Sequence, residues 1–261
     1  MSNRRALVSL GRRGFLSSLA VGTFLVPGTV FAMGQSGAFS ARRLTTSKQR
    51  QPLERDTGLT RWAWELARRT SAPAKLESIL VAADNSNLLD EPFVYWCGEE
   101  DPGLVTAAER RNLESFLRLG GILVVDDLRP ELGVFGAAVR RELRRVVPES
   151  LPVGVESNNV VFKSFYLVKH PVGRLLGPER IEAVVRARSV QVLFLSCDLL
   201  GALATRADGS YLYDVESHAP RQREQAIRFA VNLAMYVLCS DYKDDQVHAE
   251  WLMRHRARWN R

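Results

Sequence analysis

From residue 39 onward, the chain alternates short apolar runs with longer amphipathic segments. Apolar runs bounded by glycine, proline or acidic residues predict buried strands, and apolar residues spaced three and four apart predict helices. The predicted strands are residues 39–45, 76–84, 91–98, 122–127, 158–168 and 189–198, and the predicted helices are 57–70, 106–119, 133–147 and 219–240. The run 189–198 is the most apolar, so we expect it to form the central strand.

Several helix ends are marked by particular residues. Thr106 is followed three residues later by Glu109, the spacing of a capping box that begins a helix. Gly120 and the glycine after it predict the end of that helix. At the helix over 57–70, the hydroxyl of Thr57 or of Thr60 is expected to cap the first turn.

Strands that alternate with helices of ten or more residues predict a parallel sheet covered on both faces. The predicted fold class is therefore α/β, three-layered and flavodoxin-like, with helices on both faces of a mostly parallel sheet. We expect one such domain over residues 37–242, followed by a charged C-terminal tail over 243–261. In such folds ligands bind beyond the carboxyl ends of the strands.

The first 32 residues have the pattern of an export signal. Arg12 and Arg13 precede a mildly apolar run, and small residues up to Ala32 have the spacing that a signal peptidase recognises. This pattern predicts a twin-arginine signal peptide over 1–32 and a periplasmic or other extracytoplasmic location. An ordinary secretory signal and an uncleaved anchor are the alternatives. No later segment has the length and apolarity of a membrane span.

Removal of that segment changes the charge. The full chain has a formal net charge of +7, but without the four arginines before residue 32 there are 32 basic and 29 acidic residues, a net charge of +3. There is no basic stripe interleaved with aromatic residues, so the sequence predicts no nucleic-acid binding. The basic run 138–148 is interpreted as a solvated helix face, with a binding site as the alternative.

The candidate chemistry lies where two predicted strands end. Asp126 and Asp127 close one strand, and Ser196, Cys197 and Asp198 close another, so we expect all five at the ligand-binding edge of the sheet. The three aspartates are candidate ligands for Mg²⁺ or Ca²⁺, and they could also bind a sugar or peptide. Successive strand residues point to opposite faces, which argues against Asp126 and Asp127 acting as a pair. The structural alternative is that Asp127 caps the following turn while Asp126 accepts from backbone N–H groups of a neighbouring loop.

Three cysteines, Cys97, Cys197 and Cys239, leave an odd thiol in an oxidising compartment. Cys97 and Cys197 both lie at predicted strand ends, so either a disulfide between them or three free thiols fits the pattern. Neither is flanked by the glycines of a nucleophile turn, and no His–Glu pair is evident. The sequence thus predicts no Cys-His-Glu triad.

The segments "NLLDEPFVYWCG", "LRLGGILVVDD", "FKSFYLV", "LFLSCDLLGAL" and the long helix ending in "CSDYKDDQVH" resemble the bacterial domain-of-unknown-function family 4159 over about residues 37–250. The resemblance implies a fold similar to class I glutamine amidotransferases, and export or membrane anchoring. It also implies partners among envelope proteins linked to MoxR-type AAA ATPases and von Willebrand factor A-domain proteins. It implies no reaction.

These observations favour an exported, non-catalytic domain that binds a ligand or a protein in a cell-envelope complex. The alternative is an envelope hydrolase that uses strand-end carboxylates as acid and base, with or without a divalent cation. No other cofactor is predicted.

Overall fold

A computed structural model of the chain describes residues 37–149, 151–186, 189–217 and 220–259, and describes 241–259 by their helical backbone. The predicted signal peptide over 1–32 lies outside the described residues.

The described residues form one seven-stranded sheet in the order β2-β1-β3-β4-β7-β6-β5. Neighbours from β2 to β7 along this order pair in parallel, whereas β6 is antiparallel to both β7 and β5. The strands are β1 (Phe39–Thr45), β2 (Ala74–Ala82), β3 (Phe93–Gly98), β4 (Ile122–Asp127), β5 (Val153–Val155), β6 (Ile181–Arg186) and β7 (Ser189–Leu195). The prediction of a mostly parallel sheet is confirmed.

Helices cover both faces of this sheet, which confirms the three-layer α/β class. The first face is the one that packs against α1, α4 and α5, and the second face is the one that packs against α2 and α3. The helices are α1 (Thr57–Thr70), α2 (Ala107–Arg118), α3 (Val134–Val146), α4 (Leu199–Leu203) and α5 (Pro220–Trp259). Short 3₁₀ turns lie at Glu54–Asp56, Ser86–Asp90 and Val160–Phe162.

Strand alternation divides the core between the two faces. On the first face, Trp62 of α1 packs edge-on against Tyr95 of β3 with ring centroids 5.9 Å apart. Its indole Nε1 donates to the carbonyl of Ala230, 2.7 Å away, which ties α1 to α5. On the second face, Trp96 packs edge-on against Phe135 of α3 at 6.0 Å. Neighbouring residues of one strand thus anchor different layers.

The predicted capping box is present at α2. Glu109 N donates to Thr106 Oγ1 at 3.3 Å, and Thr106 N donates to the Glu109 carboxylate at 2.6 Å. The predicted cap of α1 is wrong, because a 3₁₀ turn precedes the helix and places Asp56 at its N-cap position. Thr57 donates its hydroxyl back to the carbonyl of Glu54 at 3.1 Å.

Residues 158–168 were predicted to be extended, and this is wrong. They form the 3₁₀ turn Val160–Phe162 and an irregular loop. Side chains take the place of a strand partner there, since Asn159 accepts from Val161 N and Asn232 of α5 accepts from two later backbone N–H groups. The segment has the apolar pattern of a strand, but several of its backbone N–H groups donate to asparagine side chains instead of to a neighbouring strand.

The prediction that 189–198 forms the central strand is also wrong. β4 is the middle strand, and β7 lies next to it. The reason is that two strands missed by the sequence analysis, β5 and β6, extend the sheet beyond β7 in antiparallel pairing. β5 has only three residues, and exposed residues interrupt the apolar pattern of both strands.

The last helix is longer than expected, because α5 continues through the predicted tail to Trp259. In the part of the chain that the structure describes, no helix is long and apolar enough to cross a membrane. The basic run 138–148 lies on α3, where Arg140 pairs with Glu182 and Arg141 with Asp101 at the surface.

Candidate functional site

The usual ligand position of this fold is filled by the protein itself. The strand order reverses between β1 and β3, and crevices at such reversals typically bind ligands. Here the segment after β1 folds over the end of β3 and inserts the side chain of Gln49. Its Oε1 accepts from Trp96 Nε1 at 2.7 Å, and its Nε2 donates to the carbonyl of Cys97 at 3.5 Å. The Gln49 side chain therefore occupies part of this crevice.

Asp126 is completely buried on the first face and is surrounded by donors. Its carboxylate accepts from three successive backbone N–H groups between β7 and α4, those of Cys197, Asp198 and Leu199, at 3.0, 3.2 and 2.8 Å. The hydroxyl of Tyr95 donates a fourth hydrogen bond. The hydrogen bonds of the structural alternative are thus present, and both carboxylate oxygens are engaged.

Opposing effects set the acidity of Asp126. Burial favours the neutral form and is the largest effect. The Tyr95 hydroxyl and the backbone N–H groups favour the ionised form, while the nearby charge of Asp198 again favours the neutral one. The balance raises the pKa of Asp126 to about 6.

Asp198 is also fully buried and has a left-handed backbone, with φ 50° and ψ 61°. Its side chain caps α4 by accepting from Gly201 N at 3.0 Å. Arg55 approaches the same carboxylate at 3.1 Å, and Arg174 forms a second ion pair with it. A side chain at Gly201 would place its Cβ 2.3 Å from Asp198 Oδ2, so glycine is required there. The two arginines therefore balance the charge of the Asp198 carboxylate, and Gly201 N fixes its position.

Asp127 points to the opposite face from Asp126. It accepts from Gly136 N at 2.9 Å and from Arg129 N at 3.0 Å, and so caps the beginning of α3. The three candidate metal ligands, Asp126, Asp127 and Asp198, are not brought together. Within the described residues, no group of three or more His, Cys, Asp or Glu side chains is arranged to hold a metal ion.

All three cysteines are free in the structure. Cys97 near the end of β3 and Cys197 just after β7 are both buried in the core of the first face. Cys239 is exposed on α5. Burial raises the pKa of both Cys97 and Cys197 far above the ordinary range of a thiol. Both are thiols rather than thiolates at neutral pH, so neither has the reactivity of a catalytic nucleophile.

Two of the five predicted site residues, Asp127 and Ser196, line an open cleft on the second face. The cleft has a volume of about 550 Å³ and lies between the beginning of α3 and the strands β5, β6 and β7. Its floor is a cross-strand row of Gly154, Glu182 and Phe194, which are paired across the three strands. The other three predicted residues, Asp126, Cys197 and Asp198, belong to the buried network instead.

Two arginines, Arg140 and Arg180, line this cleft together with the carboxylates of Asp127 and Glu182. Arg140 of α3 lies over the Phe194 ring, with its guanidinium carbon 4.4 Å from the ring centroid, and it donates to Glu182 at 2.8 Å. Arg180 lines the cleft and is exposed. The cleft combines polar and charged residues with the apolar residues Ile181, Phe194 and Leu195.

Sequence reasoning missed the partners that give these aspartates their roles. Tyr95, Arg55 and Arg174 come from three distant segments, and no local spacing connects them with Asp126 or Asp198. Gly173 was missed as well. A Cβ there would lie 2.1 Å from the carbonyl oxygen of Cys197, so only glycine lets its loop cross the end of β7.

The fold and the site define a three-layer α/β domain whose strand-end carboxylates are held internally and whose open cleft lies beside α3. The model of the family described as "Domain of unknown function (DUF4159)" matches residues 42–238. The chain belongs to that family. No curated protein matches the sequence.

Proposed function

We propose that the protein is a non-catalytic α/β domain that binds a ligand or a protein partner as part of a cell-envelope complex. The observation that carries this proposal is the internal use of Asp126, Asp198 and the two thiols beside them. Asp126 receives four hydrogen bonds, Asp198 is paired with two arginines, and the neighbouring thiols are buried. A hydrolytic acid and base must reach substrate or water, and these carboxylates do not.

The cleft on the second face is the proposed ligand site. Ser196, Arg180 and Glu182 line it, above a floor of paired strands. Paired strands beneath the polar groups favour binding, because little conformational entropy is lost when a ligand binds to an ordered backbone.

The location and partners rest on the N-terminal pattern and the family likeness. A twin-arginine signal over 1–32 would deliver a folded domain to the periplasm, where partners linked to MoxR-type ATPases and von Willebrand factor A-domain proteins would engage it. The similarity to the class I glutamine amidotransferase fold belongs to the same proposal. In this interpretation Asp126 and Asp127 occupy the strand end where an amidotransferase carries its cysteine.

The test uses soluble peptidoglycan fragments as probes, with calorimetry for binding and chromatography for turnover. Gly154→Leu should fill the cleft without strain, because a Cβ at Gly154 meets no atom within 4 Å. Val153→Leu is the matched control, since Val153 is half exposed on the opposite face of the same strand. We expect binding that Gly154→Leu abolishes and Val153→Leu retains, with the fragments unchanged.

Equal binding by wild type and Gly154→Leu would exclude the cleft as the site. Cleavage of the fragments by wild type but not by Asp126→Asn would favour the hydrolase alternative.

A further inference from the structure

An exposed apolar loop projects from the first-face side of the domain, between the 3₁₀ turn Val160–Phe162 and the segment that leads to β6. In this loop, residues 163–169, Leu167 is 89% exposed and Phe165 is 45% exposed. Scattered exposed apolar residues are ordinary on protein surfaces, but two large ones at the tip of one loop indicate contact with an apolar medium or partner.

The loop is held in place by buried groups. Asn232 of α5 is fully buried, and its Oδ1 accepts from Phe165 N at 3.1 Å and Tyr166 N at 2.7 Å. Its Nδ2 donates to the carbonyl of Tyr166 at 2.8 Å. Val168 N closes the loop by donating to the carbonyl of Phe162 at 2.9 Å. The apolar tip is therefore a defined feature of the fold, and its exposure is maintained by a buried amide.

Positive charge surrounds the tip. Lys163 and Lys169 are exposed on either side of it, and residues 157–178 contain no aspartate or glutamate. Arg228 of α5 lies over the ring of Tyr166, 5.2 Å from its centroid. The nearby carboxylate of Glu224 is already paired with Arg228 and Arg69. The side chains around the loop thus favour a negatively charged surface.

We propose that the 163–169 loop inserts into the headgroup region of an anionic lipid membrane and binds the domain peripherally. Leu167 and Phe165 would enter the boundary between headgroups and acyl chains, where aromatic rings such as Tyr166 are also favoured. Lys163 and Lys169 would lie at the level of the anionic headgroups, which attract basic side chains. Leu167 and Phe165 are already exposed, so a fluid lipid surface accommodates them without a matching groove. This inference goes beyond the proposed ligand cleft, which lies on the other face of the sheet.

The test is co-sedimentation of the protein, recovered after export, with two kinds of vesicle. One is a mixture of phosphatidylglycerol and phosphatidylethanolamine, and the other is pure phosphatidylcholine. We expect wild type to bind the anionic vesicles and the double variant Phe165→Ser/Leu167→Ser to bind at least about tenfold more weakly, because two apolar side chains no longer enter the lipid. The matched control is Leu104→Ser/Leu119→Ser, which replaces two exposed leucines on either side of α2. It should bind as wild type does.

A second measurement separates loop insertion from binding by the N-terminal segment. In a Cys239→Ser background, Leu167→Cys carries an environment-sensitive dye, and Leu104→Cys serves as the control position. A blue shift with anionic vesicles at 167 but not at 104 supports insertion of this loop. The absence of a shift at 167, or equal sedimentation of wild type and the Phe165/Leu167 double variant, would overturn the proposal.

Discussion

Replacement of Asp126 by asparagine tests whether ionisation of the buried carboxyl group lowers the free energy of unfolding as the pH rises. The native pKa of about 6 lies above the ordinary value of 3.8, so the native state binds a proton between these pH values that the unfolded chain has released. The stability of the wild type should then fall as the pH rises through this window. Between pH 4, close to the unfolded pKa, and pH 8, this linkage lowers the free energy of unfolding by about 2.5 kcal/mol.

Asp126→Asn removes this titration but also disturbs the hydrogen bonds. In either orientation of the amide, its NH₂ group faces a backbone N–H from residues 197–199, which costs about 1–3 kcal/mol. That cost does not depend on pH, so it cancels when the pH profiles are compared. The charged and titratable groups around the site, Tyr95, Asp198 and the two thiols, are present in both proteins.

The assay is urea unfolding of wild type and variant at a series of pH values from about 4 to about 8. We expect the stability of the wild type relative to the variant to decrease by about 2.5 kcal/mol across the series. Tyr95→Phe, which keeps the carboxyl group but removes a donor to its ionised form, should move the decrease to higher pH. A difference between wild type and Asp126→Asn that stays constant with pH would refute the reasoning.

Four further predictions follow from the same geometry. Of the three thiols, only Cys239 should react quickly with a thiol reagent in the native protein, and rapid reaction of two or more would contradict the burial of the others. Asp127→Ala should lower the free energy of unfolding by about 1–2 kcal/mol through loss of the α3 cap, as measured in urea. Gly173→Ala should cost about 3 kcal/mol or more because its Cβ meets a backbone carbonyl, whereas Gly154→Ala should change stability by less than about 1 kcal/mol. Mg²⁺ or Ca²⁺ should leave the Tm of the wild type unchanged, because the buried strand-end carboxylates already have partners.

The elements that could be predicted from the sequence are those whose signals are local. The capping box of Thr106 and Glu109 depends on residues three apart, and the structure contains both of its hydrogen bonds. The opposite orientation of Asp126 and Asp127 follows from the period of a strand, and the structure places them in different layers. In each case the backbone geometry of one segment was sufficient.

The errors occurred where distant residues take over a local role. The segment 158–168 has the apolar pattern of a strand, yet Asn232, more than sixty residues further along the chain, satisfies its backbone groups and keeps it a loop. β7 is the most apolar run but is not central, because β6 and β5 extend the sheet beyond it. Exposed residues interrupt the apolar pattern of these two strands, so the sequence does not predict them.

Local sequence patterns were sufficient to predict the α/β class, most strand and helix positions and the placement of Asp126 and Asp127 at a strand end. The hydrogen-bond partners of those aspartates, by contrast, depend on the tertiary structure. The Asp126 carboxylate accepts hydrogen bonds from backbone N–H groups that lie 71 to 73 residues further along the chain. The open cleft forms where strands from separate parts of the chain pair beside α3. Periodicity depends on neighbours along the chain, whereas the partners of a buried carboxylate depend on which segments become adjacent when the sheet assembles.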